Sequence, residues 1–114
     1  MQQNNRDKIF QRFLQDCFMH FKKHRDVKFY AELQHLTPRY FSTVIREVSG
    51  KTPIEWINLS LVTEAKKLLA TPELNIKEIA LQLNFEDQSL FGRYFKRITG
   101  LSPSSFREQQ DFIV

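Results

Sequence analysis

The chain has 114 residues, of which 41% are hydrophobic, so it is long enough for one packed domain or two very small ones. Its 17 Lys and Arg residues against 13 Asp and Glu give a formal net charge of +4, which favours a polyanionic partner but is too modest to identify it. No apolar run approaches the ~20 residues of a membrane span, and the polar start MQQNNRDK has no signal-peptide core. The single cysteine excludes an intramolecular disulfide, and we expect a cytoplasmic protein that does not enter a membrane.

Glycine (3) and proline (4) are scarce and no stretch alternates for long, so we expect an all-α fold. The first helix is predicted from about Arg6 to His24, with His24 at its end, where a positive group suits the helix dipole. Its core residues recur at helical spacing: Ile9, Phe10, Phe13, Leu14, Cys17, Phe18 and Phe21. Two alternatives carry less weight. Cys17, His20 and His24 could converge on a metal, and the cluster Lys22, Lys23, Arg25 and Lys28 could reach a phosphate rather than solvent.

A short helix is predicted next, from about Val27 to Leu36. Thr37 and Pro38 then form a typical N-cap and first-turn pair, and Gly50 stops the helix that they open at about Ser49. Spacing divides this third helix into two faces. The inward residues are Phe41, Val44, Ile45 and Val48, and the outward residues are Arg39, Ser42, Thr43 and Arg46.

A longer helix is predicted from Pro53 to about Ala70, and Thr71 ends it because the residue before Pro72 is pushed out of the helical region. Its apolar set is Ile54, Ile57, Leu61, Ala65, Leu68 and Leu69. At ~1.5 Å per residue such a helix spans roughly 27 Å, a length comparable to the ~34 Å between successive major-groove segments of B-DNA.

The stretch Asn75 to Arg107 predicts a helix, a tight turn and a second helix. Ala80 is small where two helices would cross, and Asn84 suits a left-handed turn. In the second helix the apolar stripe is Phe91, Tyr94, Phe95 and Ile98, and the opposite face is Ser89, Gly92, Arg93 and Lys96. This combination is the signature of a DNA-binding helix-turn-helix.

The two helix-turn-helix stretches form an internal repeat. Phe41 corresponds to Phe91 at an offset of 50 residues, whereas Ala31 corresponds to Ala80 at an offset of 49, so the second turn is one residue longer. Further pairs are Val44 with Tyr94, Ile45 with Phe95, Arg46 with Lys96, Val48 with Ile98, Gly50 with Gly100, Thr52 with Ser102, Pro53 with Pro103, Trp56 with Phe106 and Leu36 with Phe85.

An enzyme is not expected, because the three histidines and one cysteine form no nucleophile motif, and neither a phosphate-binding glycine loop nor HExxH occurs. We expect no cofactor or metal. A helical module that binds another protein remains the alternative function. It would explain the helices and phenylalanines but not the duplicated polar faces.

The segment IKEIALQLNFEDQSLFGRYFKRITGLSPSSFR follows, almost position by position, the motif I-A-x-x-x-G-F-x-D-x-S-x-F-x-R-x-F-K-x-x-x-G-x-S-P-x-x-[FY]-R of the AraC/XylS family, and LTPRYFSTVIREVSGKTPIEWI is a looser first copy. Over about residues 8 to 107 the chain thus resembles the C-terminal DNA-binding domain of these bacterial transcription regulators. The resemblance implies seven helices, with the third and sixth in adjacent major grooves and the fourth as a connecting rod. It places an N-terminal helix and first helix-turn-helix at 1–52, the connecting helix at 53–71, and the second helix-turn-helix with the C-terminal helix at 72–114.

Three positions depart from the family pattern. Asn84 replaces the usual Gly, which the left-handed turn tolerates. Leu61 replaces a common Arg and removes one expected polar or phosphate contact. Gly92 costs about 1 kcal/mol relative to Ala in mid-helix. It either lets the backbone approach a base pair closely or leaves that half of the site weakly read.

The resemblance also implies which residues contact DNA. The base-contact candidates are Arg39, Ser42, Thr43, Gln88, Ser89, Gly92 and Arg93. The phosphate-contact candidates are Thr37, Tyr40, Arg46, Lys51, Lys96 and Arg97. The implied partners are double-stranded DNA and RNA polymerase, with an effector or dimerisation domain outside this chain.

Overall fold

The computed structural model describes residues 4–111, in which seven α-helices and no strand occur. In chain order they are α1 (Asn5–His20), α2 (Val27–Leu33), α3 (Pro38–Ser49), α4 (Pro53–Leu69), α5 (Ile76–Gln82), α6 (Gln88–Thr99) and α7 (Pro103–Asp111). The all-α expectation and the helix count implied by the resemblance are therefore confirmed. Among the described residues, no helix is both long enough and apolar enough to span a membrane.

The chain divides into two compact units, Met1–Ser60 and Leu61–Val114, and the division falls within α4. Each unit contains one pair of short helices, α2 with α3 in the first and α5 with α6 in the second. The connecting helix α4 contributes fully buried residues on both sides of the division, Ile57 before it and Leu61 after it.

Aromatic side chains form the centre of the first unit. The ring of Phe13 in α1 meets Tyr30 of α2 edge-on at 5.5 Å between centroids and Phe41 of α3 at 5.3 Å. All three side chains are completely buried. The Tyr30 hydroxyl donates to the carbonyl of His24 at 2.7 Å, so the polar atom of this buried ring has a partner. The three rings hold α1, α2 and α3 together.

The second unit is built around Phe91 and Phe95, whose rings are fully buried on the inner face of α6. Phe91 contacts Phe85 at 5.4 Å between centroids, and Phe95 contacts Phe106 of α7 at 5.7 Å. These contacts fix α6 between the turn that precedes it and the helix that follows. Because Phe91 and Phe95 point inward, helical periodicity determines which residues of α6 face away from the core.

Two predicted helix ends were wrong. The first helix ends at His20 rather than His24, because residues 21–23 form a turn and the His24 ring stacks on Phe29 at 3.7 Å instead of extending the helix. The second ends at Leu33 rather than Leu36, because a left-handed residue, His35, reverses the chain there. Prediction of helix ends fails where a tertiary contact or a special backbone conformation decides them.

Three residues assigned to the core are exposed. Phe18 is 80% exposed because Ile9, Phe13 and Cys17 occupy the inner side of α1, and Phe18 follows Cys17 by one residue, a turn of about 100°. Ile54 in the first turn of α4 and Ile98 in the last turn of α6 are 42% and 39% exposed. Both lie at helix ends, beyond the buried side chains that fill the two cores.

The metal alternative for α1 is not supported. Cys17 is buried, with its Sγ 3.5 Å from the Ser60 Oγ, and burial raises the pKa of its thiol despite that hydrogen bond. Within the part of the chain that the structure describes, no three His, Cys, Asp or Glu side chains are grouped as a metal site requires. Cys17 therefore acts as a small buried apolar residue.

Candidate nucleic-acid interface

The tight turns between α2 and α3 and between α5 and α6 have the same backbone structure. In the first, Leu36 N–H donates to the Ala31 carbonyl and His35 N–H donates to Glu32. In the second, Phe85 donates to Ala80 and Asn84 to Leu81. These paired bonds define a Schellman motif, and its left-handed residues are His35 (φ 56°) and Asn84 (φ 63°).

The two helices that follow these turns, α3 and α6, are both 12 residues long and are capped at equivalent positions. The Thr37 hydroxyl accepts a bond from the N–H of Tyr40 at 3.2 Å, and the Asp87 carboxylate accepts one from Leu90 at 2.8 Å. Each helix is therefore fixed at its start by a side chain three residues upstream of the bonded amide.

The ends of α3 and α6 repeat the same hydrogen bonds. Gly50 (φ 80°) and Gly100 (φ 85°) close the helices in the left-handed conformation that favours glycine. Just before them, the Ser49 hydroxyl donates to the Ile45 carbonyl and accepts from the Lys51 amide, as the Thr99 hydroxyl does with Phe95 and Leu101. The internal repeat predicted from sequence is thus present down to individual hydrogen bonds.

Helix α3 turns most of its candidate contact residues to solvent. Arg39, Thr43 and Arg46 are exposed, Tyr40 is 46% exposed, and Ser42 is half-buried. The Thr43 hydroxyl donates to the Arg39 carbonyl at 3.0 Å, which leaves its methyl group as the outward part of the side chain. The α3 face therefore offers two guanidinium groups around small hydroxyl residues.

Helix α6 presents a similar face with more charge. Its exposed candidates are Gln88, Ser89, Arg93, Lys96 and Arg97. Gly92 is half-buried, and a Cβ atom added there would meet no atom within 4 Å, so it leaves a notch between larger neighbours. Arg97 lies over the Tyr94 ring at 5.5 Å, a cation–π contact that holds it at the edge of this face.

The remaining phosphate candidates lie at the ends of α3. Thr37 is exposed, and because its oxygen accepts the capping bond, its own O–H proton stays available to donate. Lys51 is exposed just after Gly50. The structure therefore places all thirteen candidates on α3, on α6 or beside an end of α3, with no candidate fully buried.

The two faces differ in charge. Helix α6 contains three cationic residues, Arg93, Lys96 and Arg97, and no acidic one. Helix α3 contains Arg39 and Arg46 with one acidic residue, Glu47, which forms a salt bridge with Arg6. At the start of α6 the acidic pair Glu86 and Asp87 would repel phosphate, whereas α3 starts with neutral Thr37.

Three residues that position the helices of the candidate interface were not identified from the sequence. His35 was not identified as a turn residue, although the offset of 49 that aligns Ala31 with Ala80 also aligns His35 with Asn84. Asp87 was not identified as the N-cap of α6, although it directly precedes the helix and Asp is one of the preferred N-cap residues. Arg107 donates to the carbonyls of Leu69 and Thr71 at 2.9 and 3.3 Å, a contact for which the sequence holds no local signal.

Comparison with known proteins identifies relatives of this domain. The family described as "Helix-turn-helix domain" matches residues 30–109. The chain is 33% identical over 97 residues to the uncharacterised HTH-type transcriptional regulator YisR of Bacillus subtilis, covering 85% of this chain and 33% of that protein. It is 34% identical over 82 residues to the arabinose operon regulatory protein of Escherichia coli, covering 72% of this chain and 28% of that protein. The chain thus spans about a third or less of these relatives.

Among solved structures, the C-terminal domain of AraT, a response regulator from Geobacillus stearothermophilus, superposes with a TM-score of 0.83 at 28% identity. The superposition covers 93% of this chain and 88% of the AraT domain. Over most of its length the chain therefore has the fold of the AraT C-terminal domain.

Proposed function

The chain belongs to the AraC/XylS family of helix-turn-helix transcription regulators, and from this premise we propose that it binds double-stranded DNA in a sequence-specific manner and thereby regulates transcription. Each unit supplies one reading helix, α3 in the first and α6 in the second. The two helices enter successive major-groove segments of one DNA site.

The observation that carries this proposal is the repeat of two outward faces on two helices that are capped at equivalent positions. Packing alone requires only the buried stripes, such as Phe41 and Ile45 in α3 and Phe91 and Phe95 in α6. A duplicated basic face, by contrast, matches a partner that presents the same chemistry twice. DNA does so once per helical turn of about 34 Å.

In α3, Arg39 reads a base edge, because the guanidinium fork fits the two major-groove acceptors of guanine. Ser42 lines the same face, and Thr43 offers its methyl group to thymine because its hydroxyl is used within the helix. Thr37, Tyr40, Arg46 and Lys51 contact phosphates on either side of the groove. These phosphate contacts add affinity without sequence preference.

In α6, Gln88, Ser89 and Arg93 read bases, and the notch at Gly92 lets the helix backbone approach the base edges closely. Lys96 and Arg97 contact phosphate at the other end of the helix. The acidic residues Glu86 and Asp87 at the start of α6 support this placement of the phosphate contacts. They repel phosphate, which therefore approaches the half of α6 that carries Lys96 and Arg97 more readily.

The test compares Arg93→Ala with Lys96→Ala on a duplex selected from a random DNA pool and on a scrambled duplex, each at two salt concentrations. Arg93→Ala should lose about 1–3 kcal/mol on the selected duplex and relax preference at one base pair. Lys96→Ala should weaken both duplexes alike and reduce the salt slope by about 0.9 per lost phosphate contact. Both side chains are exposed, so neither change should disturb folding.

The protein-binding alternative predicts a different outcome. If neither variant changes DNA binding and the affinity hardly depends on salt, the outward face of α6 does not contact DNA. Equal weakening of both duplexes by Arg93→Ala would make Arg93 a phosphate contact and pass the reading role to Gln88 or Ser89. Footprinting of a single groove segment would reject the two-helix site.

The proposal extends to the complete regulator, of which this domain is about a third in its relatives. We propose that an effector or dimerisation domain accompanies it, that the DNA-bound protein contacts RNA polymerase in the cytoplasm, and that the chain itself is not an enzyme. We also propose the division into 1–52, 53–71 and 72–114. In this division α4 is the covalent connection between the two reading units.

A further inference from the structure

The hydroxyl of Ser49, at the end of α3, is bonded on every side. It donates to the Ile45 carbonyl at 2.6 Å, the shorter of its two carbonyl distances. It accepts from the Lys51 amide at 3.2 Å and from the indole Nε1–H of Trp56 at 2.9 Å. A hydroxyl has one proton and two lone pairs, so these three bonds use its full capacity. The bond from Trp56 joins the start of α4 to the end of α3 across residues 50–52.

The second unit repeats this arrangement without the indole bond. The Thr99 hydroxyl donates to the Phe95 carbonyl at 2.8 Å and accepts from the Leu101 amide at 3.2 Å. The residue that corresponds to Trp56 is Phe106, whose ring has no N–H to donate. Phenylalanine therefore meets the packing requirement of this position, and the tryptophan of the first unit adds a hydrogen bond to the end of the reading helix.

Trp56 is itself held in place by α1. Its ring centroid lies 5.6 Å from that of Phe10. Its backbone carbonyl accepts a bond from the Ser60 hydroxyl at 3.1 Å, and the Ser60 Oγ lies 3.5 Å from the Sγ of Cys17. All of these residues belong to the first unit. The indole N–H is therefore a donor at a fixed position, and the Ser49 hydroxyl is held by it.

This bond fixes the backbone from which the Lys51 side chain extends. Lys51 is exposed, and its amide is bound to the same hydroxyl that Trp56 holds. A phosphate contact from Lys51 requires an ordered backbone at the junction of α3 and α4. Ordering the backbone of one residue on binding weakens an equilibrium roughly five- to thirtyfold, a loss that is avoided when the free chain is already ordered.

We propose that Trp56 is a positioning residue for DNA binding, which acts through Ser49 to hold Lys51 where it contacts a DNA phosphate. This inference rests on the proposed function and adds to it a residue outside α3 and α6. The indole does not touch DNA, because its one N–H is already bound to Ser49. Its effect on affinity therefore depends on the presence of the Lys51 side chain.

The experiment is a double-mutant cycle on the affinity of the whole chain for a duplex selected from a random DNA pool. Trp56→Phe keeps an aromatic ring, removes the N–H and should weaken binding about fivefold or more. In a Lys51→Ala background the same change should have almost no effect, since the contact that it positions is gone. Lys96→Ala is the matched control background. Lys96 is exposed on α6 of the other unit, so the loss caused by Trp56→Phe should persist there in full.

Ser49→Ala provides an independent variant, because it removes the acceptor and leaves the indole in place. It too should weaken binding only while Lys51 is present. All affinities are measured well below the melting temperature of each variant. An equal loss from Trp56→Phe in the Lys51→Ala and Lys96→Ala backgrounds, or no loss in the parent, would overturn the role of Trp56.

Failure of this inference is distinct from failure of the proposed function. If Lys51→Ala leaves the affinity unchanged while the parent binds the selected duplex, only the positioning role is lost and DNA binding stands. A parent chain that binds no duplex would overturn both proposals.

Discussion

Replacing Gly92 with alanine should make the protein more stable. Gly92 lies in the middle of α6, away from both caps, and a Cβ atom built on it meets nothing within 4 Å. Alanine is favoured over glycine inside a helix by about 1 kcal/mol, and no clash opposes that gain here. For a chain of this length, 1 kcal/mol raises the melting temperature by about 4 °C.

The same substitution should weaken DNA binding. Gly92 lies between Ser89, Arg93 and Lys96 on the outward face of α6, where the proposal puts base edges against the helix backbone. A methyl group in that notch holds the backbone away from the base pairs and lengthens the hydrogen bonds of its neighbours. We expect a loss of about 1–3 kcal/mol, the size of one good base contact.

Gly100→Ala is the matched control, because it makes the same chemical change in the same unit with the opposite expected result. Gly100 has a φ of 85°, so a side chain there costs roughly 1–2 kcal/mol of backbone strain even though the space is open. The melting temperature should fall, and DNA affinity measured well below melting should not change.

The two quantities are measured by thermal melting followed by circular dichroism and by fluorescence anisotropy with a labelled duplex. If Gly92→Ala raises the melting temperature and leaves affinity unchanged, the notch does not face DNA closely, and the second half of the site is weakly read. If Gly92→Ala lowers stability, the assignment of open space at this position is wrong.

Three further changes test the fold. Phe95→Ala removes a fully buried ring and should cost about 3–5 kcal/mol in urea unfolding, whereas Ile98→Ala, at an exposed position, should cost under about 1 kcal/mol; equal costs would contradict the assigned faces of α6. Arg107→Ala removes the bonds to the carbonyls at the end of α4 and should cost about 2–3 kcal/mol, against almost nothing for exposed Arg93→Ala. Burial raises the pKa of Tyr30, so the folded state holds this proton more tightly than the unfolded chain. Stability should therefore fall as pH rises above about 10, and Tyr30→Phe should flatten that decline in urea unfolding at several pH values.

Much of the fold could be predicted because periodicity and caps agree in each helix. Thr37 with Pro38 marks the start of α3, and Gly50 and Gly100 mark the ends of α3 and α6 as predicted. Asn84 adopts the left-handed conformation expected of it. Each of these features depends on one or two neighbouring residues, so a short stretch of sequence is enough to predict it.

Features that depend on distant residues could not be predicted in the same way. Phe18 and Phe21 are both phenylalanines at helical spacing from other apolar residues, yet only Phe21 is buried. The positions of α2 and α3 determine which side of α1 is covered. The bonds from Arg107 to the end of α4 join residues more than thirty positions apart. The contact roles of α3 and α6 depend on DNA, which neither the sequence nor the folded chain contains.

The repeat also explains why the two halves of one DNA site are not expected to contribute equally. Helix α3 starts with the neutral hydroxyl of Thr37, which can donate to a phosphate, whereas α6 starts with the carboxylate of Asp87, which already accepts the capping bond and repels a phosphate. We therefore expect the phosphate contacts of the second unit to come from Lys96 and Arg97, at the opposite end of its helix. With phosphate contacts proposed at both ends of α3 but only at the end of α6, we expect α3 to be held more firmly against the DNA backbone than α6. We therefore expect the two helices to differ in their balance of affinity and base recognition, with α3 anchored at both ends and α6 only at its end.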